Sequence, residues 1–467
     1  MTLHLFNTMS REKEQFVPLR KGKVGMYTCG PTVYNYPHIG NYRAYAFGDL
    51  LKRYLRFKGF KVNHVMNITD VEDKTIRDSR KEGVTLREFT TRYTQAFFED
   101  LHALHITDAD TFCKATDYIN DMIALVSKLL DKGLAYKGED GSVYYKVSAF
   151  KDYGRLAHLN VDDLKAGASG RVKADEYTKE NVHDFALWKA YSKEDGDVAW
   201  DAPFGKGRPG WHIECSAMSM RFLGESFDIH TGGVDLVFPH HQNEIAQSEG
   251  ATGKPFVKYW LHNEWLLVDG EKMSKSKGDF YTIPDLVKKG FAPLAIKYVL
   301  LATHYRQQLN FTFESVKAAQ ASLERLQNLI SALQQLKGNT SEGETAELIA
   351  ALKDGFEKAM DDDINVSEAL AVLFDFVKEV NSAIAADSVS EKDAKLFLQA
   401  LQEIDQVLGI MTFETKGLDE AIDALVQERE AARRKKDFKK ADAIRDELKK
   451  KGIILEDTPQ GIRWKRA

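Results

Sequence analysis

Cys29, Cys215, His240 and Glu244 are of the types that hold zinc, through thiolate, imidazole and carboxylate. In Pro239-His240-His241-Gln242-Asn243-Glu244 a spacing of four sets His240 and Glu244 on one face of a helix. His241 points about a quarter-turn away and is the weaker ligand candidate. Cys215 closes Trp211-His212-Ile213-Glu214-Cys215, where Trp211 lies four residues earlier on the same face. The separations are long and match no zinc-finger pattern, so spacing leaves two readings open. One is a metal site across strand ends; the other is a pair of core cysteines and a salt-bridged helix start. Cys113 has no ligand-type neighbours and reads as core.

A second group suits nucleotide. Pro37-His38-Ile39-Gly40-Asn41 lies between a strand-like run at 24–27, stopped by Cys29-Gly30-Pro31, and an amphipathic run at 42–60. A helix N-terminus offers unpaired N–H groups and a positive dipole end to a phosphate. Gly40 permits close approach, and His38 can donate to a phosphoryl oxygen. The plainer alternative is a histidine capping a helix. A third group is Glu271-Lys272-Met273-Ser274-Lys275-Ser276-Lys277-Gly278, after a turn. Lys272 and Lys275 can close over a triphosphate and neutralise charge on departing pyrophosphate, with Lys275, flanked by hydroxyls, the better contact. A solvated basic loop is the alternative.

Elements able to position these groups alternate strand and helix. After the first strand and helix, 61–66 reads as a strand ending in Asn67-Ile68-Thr69-Asp70, and 77–131 is mostly helical by period. Residues 133–200 are rich in Gly, Asp and Lys with short strand-like pieces such as 142–147, an insertion in the sheet domain. Then come a helix at 211–222, a strand at 226–230, a turn at Thr231-Gly232-Gly233, a helix at 239–250 and a strand at 259–268. From Leu323 strands disappear. Leu323, Leu326, Leu329, Ile330 and Leu333, then Leu370, Leu373, Phe374 and Val377, repeat as in a helical bundle, with 337–343 as a loop. A short charged unit, 418–467, ends the chain.

The 467 residues are too many for one core, and 43% hydrophobic with 29% charged residues is an ordinary soluble composition. A formal charge of -5 excludes an all-over nucleic-acid coat, so any such surface is local. One is available at 429–451, where eleven basic side chains, Arg433 among them, face five acidic ones. Phe438 lies inside that run and Trp464 beyond it, the makings of an RNA-stacking surface, or else of a solvated helix with ion pairs. Residues 1–15 carry early charges and no apolar leader, and no apolar run approaches the roughly 18 residues of a membrane span. Three cysteines make no disulfide framework, so a reducing cytoplasm is expected.

His-Ile-Gly-Asn at 38–41 and Lys-Met-Ser-Lys-Ser at 272–276 are similar to the two signatures of class I aminoacyl-tRNA synthetases. Together with MYTCGPTVY, GWHIECSAMS, DIHTGGVDLVFPHHQNEIAQSE, HYRQQLNF and KDFKKADAIRDEL, the chain resembles the cysteinyl-tRNA synthetase family nearly end to end. Asn41 stands where that signature usually has histidine, and it too can donate to a phosphate oxygen. Phe438 stands where many relatives have tryptophan.

The resemblance implies an α/β architecture: a Rossmann-type parallel-sheet domain split by an insertion, then a helical bundle and a small anticodon-binding domain. The expected bounds are 1–120 and 206–268 for the catalytic halves, 121–205 for the insertion and 269–315 for the signature loop and stem contacts. The bundle is expected at 316–412 and the anticodon domain at 413–467. It further implies one zinc on Cys29, Cys215, His240 and Glu244, with Cys29, Gly30, Thr69 and Trp211 around the substrate. Pro37, His38, Gly40, Asn41, Lys272, Ser274, Lys275 and Ser276 would meet Mg2+-ATP, with His38, Asn41, Lys272 and Lys275 catalytic. Arg433, Phe438 and Trp464 would meet tRNA. The expected activity is ligation of L-cysteine to its tRNA through an adenylate, by a monomer with no membrane contact. Two alternatives share parts of the pattern. A ligase joining cysteine to an amino sugar would lack the anticodon unit, and a non-catalytic RNA-binding paralogue would have lost His38, Lys275 or a zinc ligand.

Overall fold

Two short antiparallel strands, β1 (His4–Asn7) and β2 (Glu12–Gln15), lead to β3 (Lys23–Thr28), whose Val24, Met26 and Tyr27 are buried. The computed structural model describes residues 2–159, 184–273, 280–337, 344–413, 420–435, 437–450, 453–458 and 461–466. They fall into two units, Met1–Ala319 with Glu357–Leu370, and Gln320–Phe356 with Ala371–Ala467.

In the first unit α1 (Ile39–Phe57) buries the face carrying Ile39, Tyr42, Phe47, Leu50, Leu51 and Tyr54. Gly59, at φ +86°, turns the chain into β4 (Lys61–Ile68). Helices α2 (Asp73–Glu82) and α3 (Leu86–Ala103) follow, then β5 (Thr111–Lys114) and α4 (Ile119–Asp131). The helical reading of 77–131 missed β5, a four-residue strand too short to show a period. The insertion forms an antiparallel sheet of β6 (Ala135–Lys137), β7 (Val143–Tyr145), β8 (Phe185–Ala190) and β9 (Gly207–Pro209).

The chain then makes α5 (Trp211–Leu223), β10 (Phe227–Gly233), α6 (Gln242–Thr252) and β11 (Val257–Asn263). The central sheet is wholly parallel in the order β11-β10-β3-β4-β5. From β3 the chain crosses to β4 on one side, and β10 joins on the other. In such sheets ligands bind beyond the C-terminal strand ends where the order switches. Thr231-Gly232-Gly233 continues β10 against Leu261, His262 and Asn263 instead of turning. Gly232 serves close packing: a Cβ there would lie 2.8 Å from His241 Cε1. The apolar run at 259–268 is broken at Glu264-Trp265, so β12 (Leu266–Val268) enters a second sheet with β13 (Glu271–Lys272) and, after the helices α7 (Ile283–Lys288) and α8 (Pro293–Ala302), β14 (Leu309–Phe311).

Tyr42 on α1 donates to Asp100 on α3 at 2.8 Å. Burial lifts the Asp100 carboxyl from 3.8 to about 6, against the pull of that hydroxyl. The folded protein therefore holds this proton more tightly than the unfolded chain does. The group's contribution is fully present below about pH 4 and is lost as pH rises through about 6. Asp100→Asn is expected to raise the melting temperature at pH 7 and to flatten its pH dependence between about 4 and 6. An unchanged slope in thermal unfolding would refute the assignment.

In the second unit Leu326, Leu329, Ile330 and Leu333 of α9 (Phe313–Gln335) are buried, as are Leu373 and Val377 of α11 (Val366–Ala385), while Leu323 and Phe374 are half-buried. Between and after them lie α10 (Thr345–Asp361), part of which belongs to the first unit, and α12 (Glu391–Leu408). The expected loop lies outside the described residues from 338 on. The tail packs α13 (Glu420–Arg434) and α14 (Phe438–Lys450) around Val426, Ile444, Leu448 and Ile453. Strands do return there, as the hairpin β15 (Ile453–Thr458) and β16 (Gly461–Arg466). Glu456-Asp457 had masked that strand.

Candidate active site

Cys29, just past β3, Cys215 on α5, and His240 and Glu244 before and in α6 converge behind the C-terminal edge of the sheet. All four are buried, with ligand atoms within 4.8 Å of one another. The Cys29 and Cys215 sulfurs are 4.0 Å apart, and Cys29 Sγ is 4.0 Å from Glu244 Oε1. His240 Nε2 is 3.1 Å from the same oxygen. Sulfurs on a tetrahedral zinc lie about 3.8 Å apart, so this set needs little movement to take the ion.

The protonation pattern also fits a cation. Burial would raise the Glu244 carboxyl, but His230 and His240 hold it down at about 2. Burial works against charge on His240, yet Cys215 and Glu244 lift it to about 10. Cys215 is pulled down by its hydrogen bond with Cys29 and by His240, while burial and Cys215 push Cys29 up. Two anions thus face protons that a divalent metal can displace.

His241 is where the helical-wheel argument misplaces a side chain. Residues 237–241 form a π-type turn with Phe238 extended, so α6 begins only at Gln242. His241 Nε2 comes 3.2 Å from Cys29 Sγ. With Cys29, His230 and Glu244 it makes a second buried quartet sharing two members with the first. His230 Nε2 meets Glu244 Oε2 at 3.0 Å, His212 meets His240 at 2.9 Å, and His262 meets His241 at 2.8 Å. Such outer partners orient metal ligands. Sequence reading did not single out these three; their place at strand and helix ends around His240 was the available signal.

A cleft of about 480 Å³ opens over the centre, lined by Cys29, Gly30, Pro37, His38, Gly40, Asn41, Trp211, Lys272 and others. Gly30 is required by backbone: a Cβ would sit 1.8 Å from Asn67 O. Trp211 opens α5 with its ring 4.3 Å from that of His240. Thr69 is buried and not in the lining; its hydroxyl donates to Glu214 at 2.9 Å. Asp235 and Trp265 line the cleft without having been singled out. Asp235 follows the glycines at the end of β10, where ligand contacts gather.

His38 is the N-cap of α1, so the capping alternative holds. Its Nδ1 accepts from Gly40 N at 3.1 Å, while Asn41 Oδ1 accepts from His38 N at 3.1 Å. An accepting Nδ1 leaves the ring proton on Nε2, and a bonded Oδ1 leaves Asn41 its amide donor. Lys272 Nζ stands 2.9 Å from the centre of the Trp265 ring. Ser274, Lys275 and Ser276 lie outside the described residues. In the tail Phe438 is 61% exposed and Arg433 ends α13, while the side chain of Trp464 lies outside the described residues.

The parallel sheet with its switch-point cleft is the catalytic architecture of a class I aminoacyl-tRNA synthetase, the class the family match gives this chain. Residues 15–321 match the family described as tRNA synthetases class I (C) catalytic domain. Residues 355–412 match the DALR domain, and 415–464 the cysteinyl-tRNA ligase anticodon binding domain. The cysteine–tRNA ligase of Protochlamydia amoebophila is 49% identical, covering 99% of this chain and 98% of its own length. That of Brachyspira hyodysenteriae is 51% identical over 99% and 98%. The chain belongs to the cysteine–tRNA ligase family and charges tRNA with cysteine. The fold alone is shared with Mycobacterium tuberculosis methionyl-tRNA synthetase in complex with methionyl-adenylate, with a TM-score of 0.61, 17% identity, and 83% of this chain and 90% of that one covered. The anticodon-domain match is what an amino-sugar ligase would lack. No helix among the described residues is long and apolar enough to cross a membrane.

Proposed function

We propose that the cleft activates cysteine with Mg2+-ATP before transfer to tRNA, with Cys29, Cys215, His240 and Glu244 holding a zinc ion at its base. The observation that carries this reading is that Cys29 lines the same cleft as the His38–Asn41 helix start and Lys272. The cysteine carboxylate attacks the α-phosphate, giving cysteinyl-adenylate and pyrophosphate, and the terminal ribose hydroxyl of the tRNA then takes the acyl group. His38 offers Nε2–H, Asn41 its amide, and the start of α1 its dipole to phosphate oxygens. Gly40 and Pro37 leave the backbone open to close approach. Lys272, held over Trp265, meets charge growing on the pyrophosphate. Ser274, Lys275 and Ser276 are assigned to ATP by the family resemblance alone. Gly30 and Trp211 wall the side-chain pocket, and Thr69 braces it from behind through Glu214. Asp235, which lines the cleft with Cys29, is the counter-ion for the substrate ammonium.

Zinc bound here supplies a soft acid that prefers a thiolate to a hydroxyl. An ordinary pocket separates such near-isosteres by only about 10–200-fold, so recognition through sulfur removes the need for editing. Arg433, Phe438 and Trp464 lie within the residues matching the anticodon domain, and we assign them to tRNA contact. The test is cysteine-dependent ATP–pyrophosphate exchange, with serine as control and a zinc chelator. Exchange with cysteine alone, lost on chelation, is expected; equal exchange with serine would overturn recognition through the metal.

A further inference from the structure

Arg43 lies two residues beyond Asn41 on α1 and is 2% exposed. Its Nη1 donates to the carbonyls of Glu264 and Trp265, both at 2.6 Å. Its Nη2 donates to those of His304 at 3.3 Å and Gln307 at 2.5 Å. Four carbonyl dipoles from two chain segments thus satisfy one buried guanidinium. A planar fork can bridge successive carbonyls and fix both peptide planes, which a single ammonium cannot.

The segments it grips matter to the cleft. At Glu264-Trp265 the chain leaves the parallel sheet at the end of β11 and enters the second sheet as β12. Glu264 and Trp265 line the cleft, and the Trp265 ring carries Lys272 Nζ. Lys272 is itself paired with Leu267 across β12 and β13. The 304–307 turn precedes β14, which pairs with β12 on its other side. One side chain therefore ties the helix that begins at His38 and Gly40 to the Trp265 platform under Lys272.

We infer that Arg43 is a positioning residue for adenylate formation, acting through the Glu264-Trp265 carbonyls to set the ring on which Lys272 rests. The inference rests on the role given above to Lys272. Desolvating a guanidinium costs free energy that an apolar side chain would not, so a residue serving only to fill the core would not need this chemistry. Burial lowers its pKa to about 10, which still leaves it charged at neutral pH.

The test is a cycle on the full-length zinc-loaded protein: Arg43→Lys, Lys272→Ala and the double variant, with Arg43→Met as the stronger change. The readout is cysteine-dependent ATP–pyrophosphate exchange, with zinc content and thermal unfolding measured beside it. Arg43→Lys is expected to lower kcat about ten- to a hundredfold, the scale of a small misplacement, with KM for cysteine and zinc content unchanged. In the Lys272→Ala background the same change is expected to cost less than about twofold, because the two act as one unit. Equal losses in both backgrounds would overturn the inference alone. So would a lowered melting temperature with kcat per folded molecule intact, the mark of a merely structural residue. Lys272→Ala without effect on exchange would instead remove the role of Lys272 itself.

Discussion

Cys215→Ala is expected to abolish activation of cysteine while the sheet and helices remain folded. Cys215 sits on a well-packed helix, and a buried Cys-to-Ala change is small in volume. Its thiol, by contrast, is one of four donors on the proposed zinc. Loss of an outer partner alone weakens metal binding by about 10–100-fold, so loss of a donor is expected to cost at least about a hundredfold. Zinc content and exchange with cysteine should fall together, with far-ultraviolet circular dichroism unchanged. The second quartet gives the experiment a further reading. An ion retained with cysteine activation lost would lie on Cys29, His230, His241 and Glu244, and recognition through the first set would stand. Zinc and cysteine exchange both at wild-type levels would overturn the four-ligand assignment.

The other large effect is expected from Lys272→Ala. In the role proposed above its ammonium acts only as charge gathers on the departing pyrophosphate, so the loss should fall on kcat and not on cysteine binding. Removal of one such preorganised group typically costs about 10²–10³ in rate. Single-turnover adenylate formation under saturating ATP and cysteine measures this directly. A loss below about threefold would mean that Lys272 is a surface cation resting on Trp265 and nothing more. Trp265→Ala separates platform from charge: removing the ring leaves the ammonium but frees it, so an intermediate loss is expected.

These experiments bear on parts of the molecule that differ in how far the sequence reveals them. The α1 helix was readable because Phe47, Leu50, Leu51 and Tyr54 obey its period and Gly59 ends it, all local facts. The pair His240 and Glu244 was readable from a spacing of four, and the two side chains do meet at 3.1 Å, although His240 lies in the π-type turn before α6. Thr231-Gly232-Gly233 misled because glycine marks two different needs. A turn wants freedom of φ, whereas here His241 wants the space a Cβ would fill. His262-Asn263-Glu264 interrupts the apolar run at 259–268, a local signal that the single-strand reading passed over, and the choice of two partner sheets makes it a break.

By itself the sequence determined the residue types of the site, the order of strand and helix around it, and the signatures that tie the chain to its family. These depend on local period, turn chemistry and the matching of motifs. Tertiary structure alone decided that Cys29 and Cys215, 186 positions apart, stand 4.0 Å from each other, and that His241 turns inward beside them. It alone showed that Arg43 grips carbonyls more than two hundred residues away. The physical reason is common to all three. Contacts between distant segments are set by sheet register and by the packing of whole elements, and neither is written in the neighbourhood of any one residue.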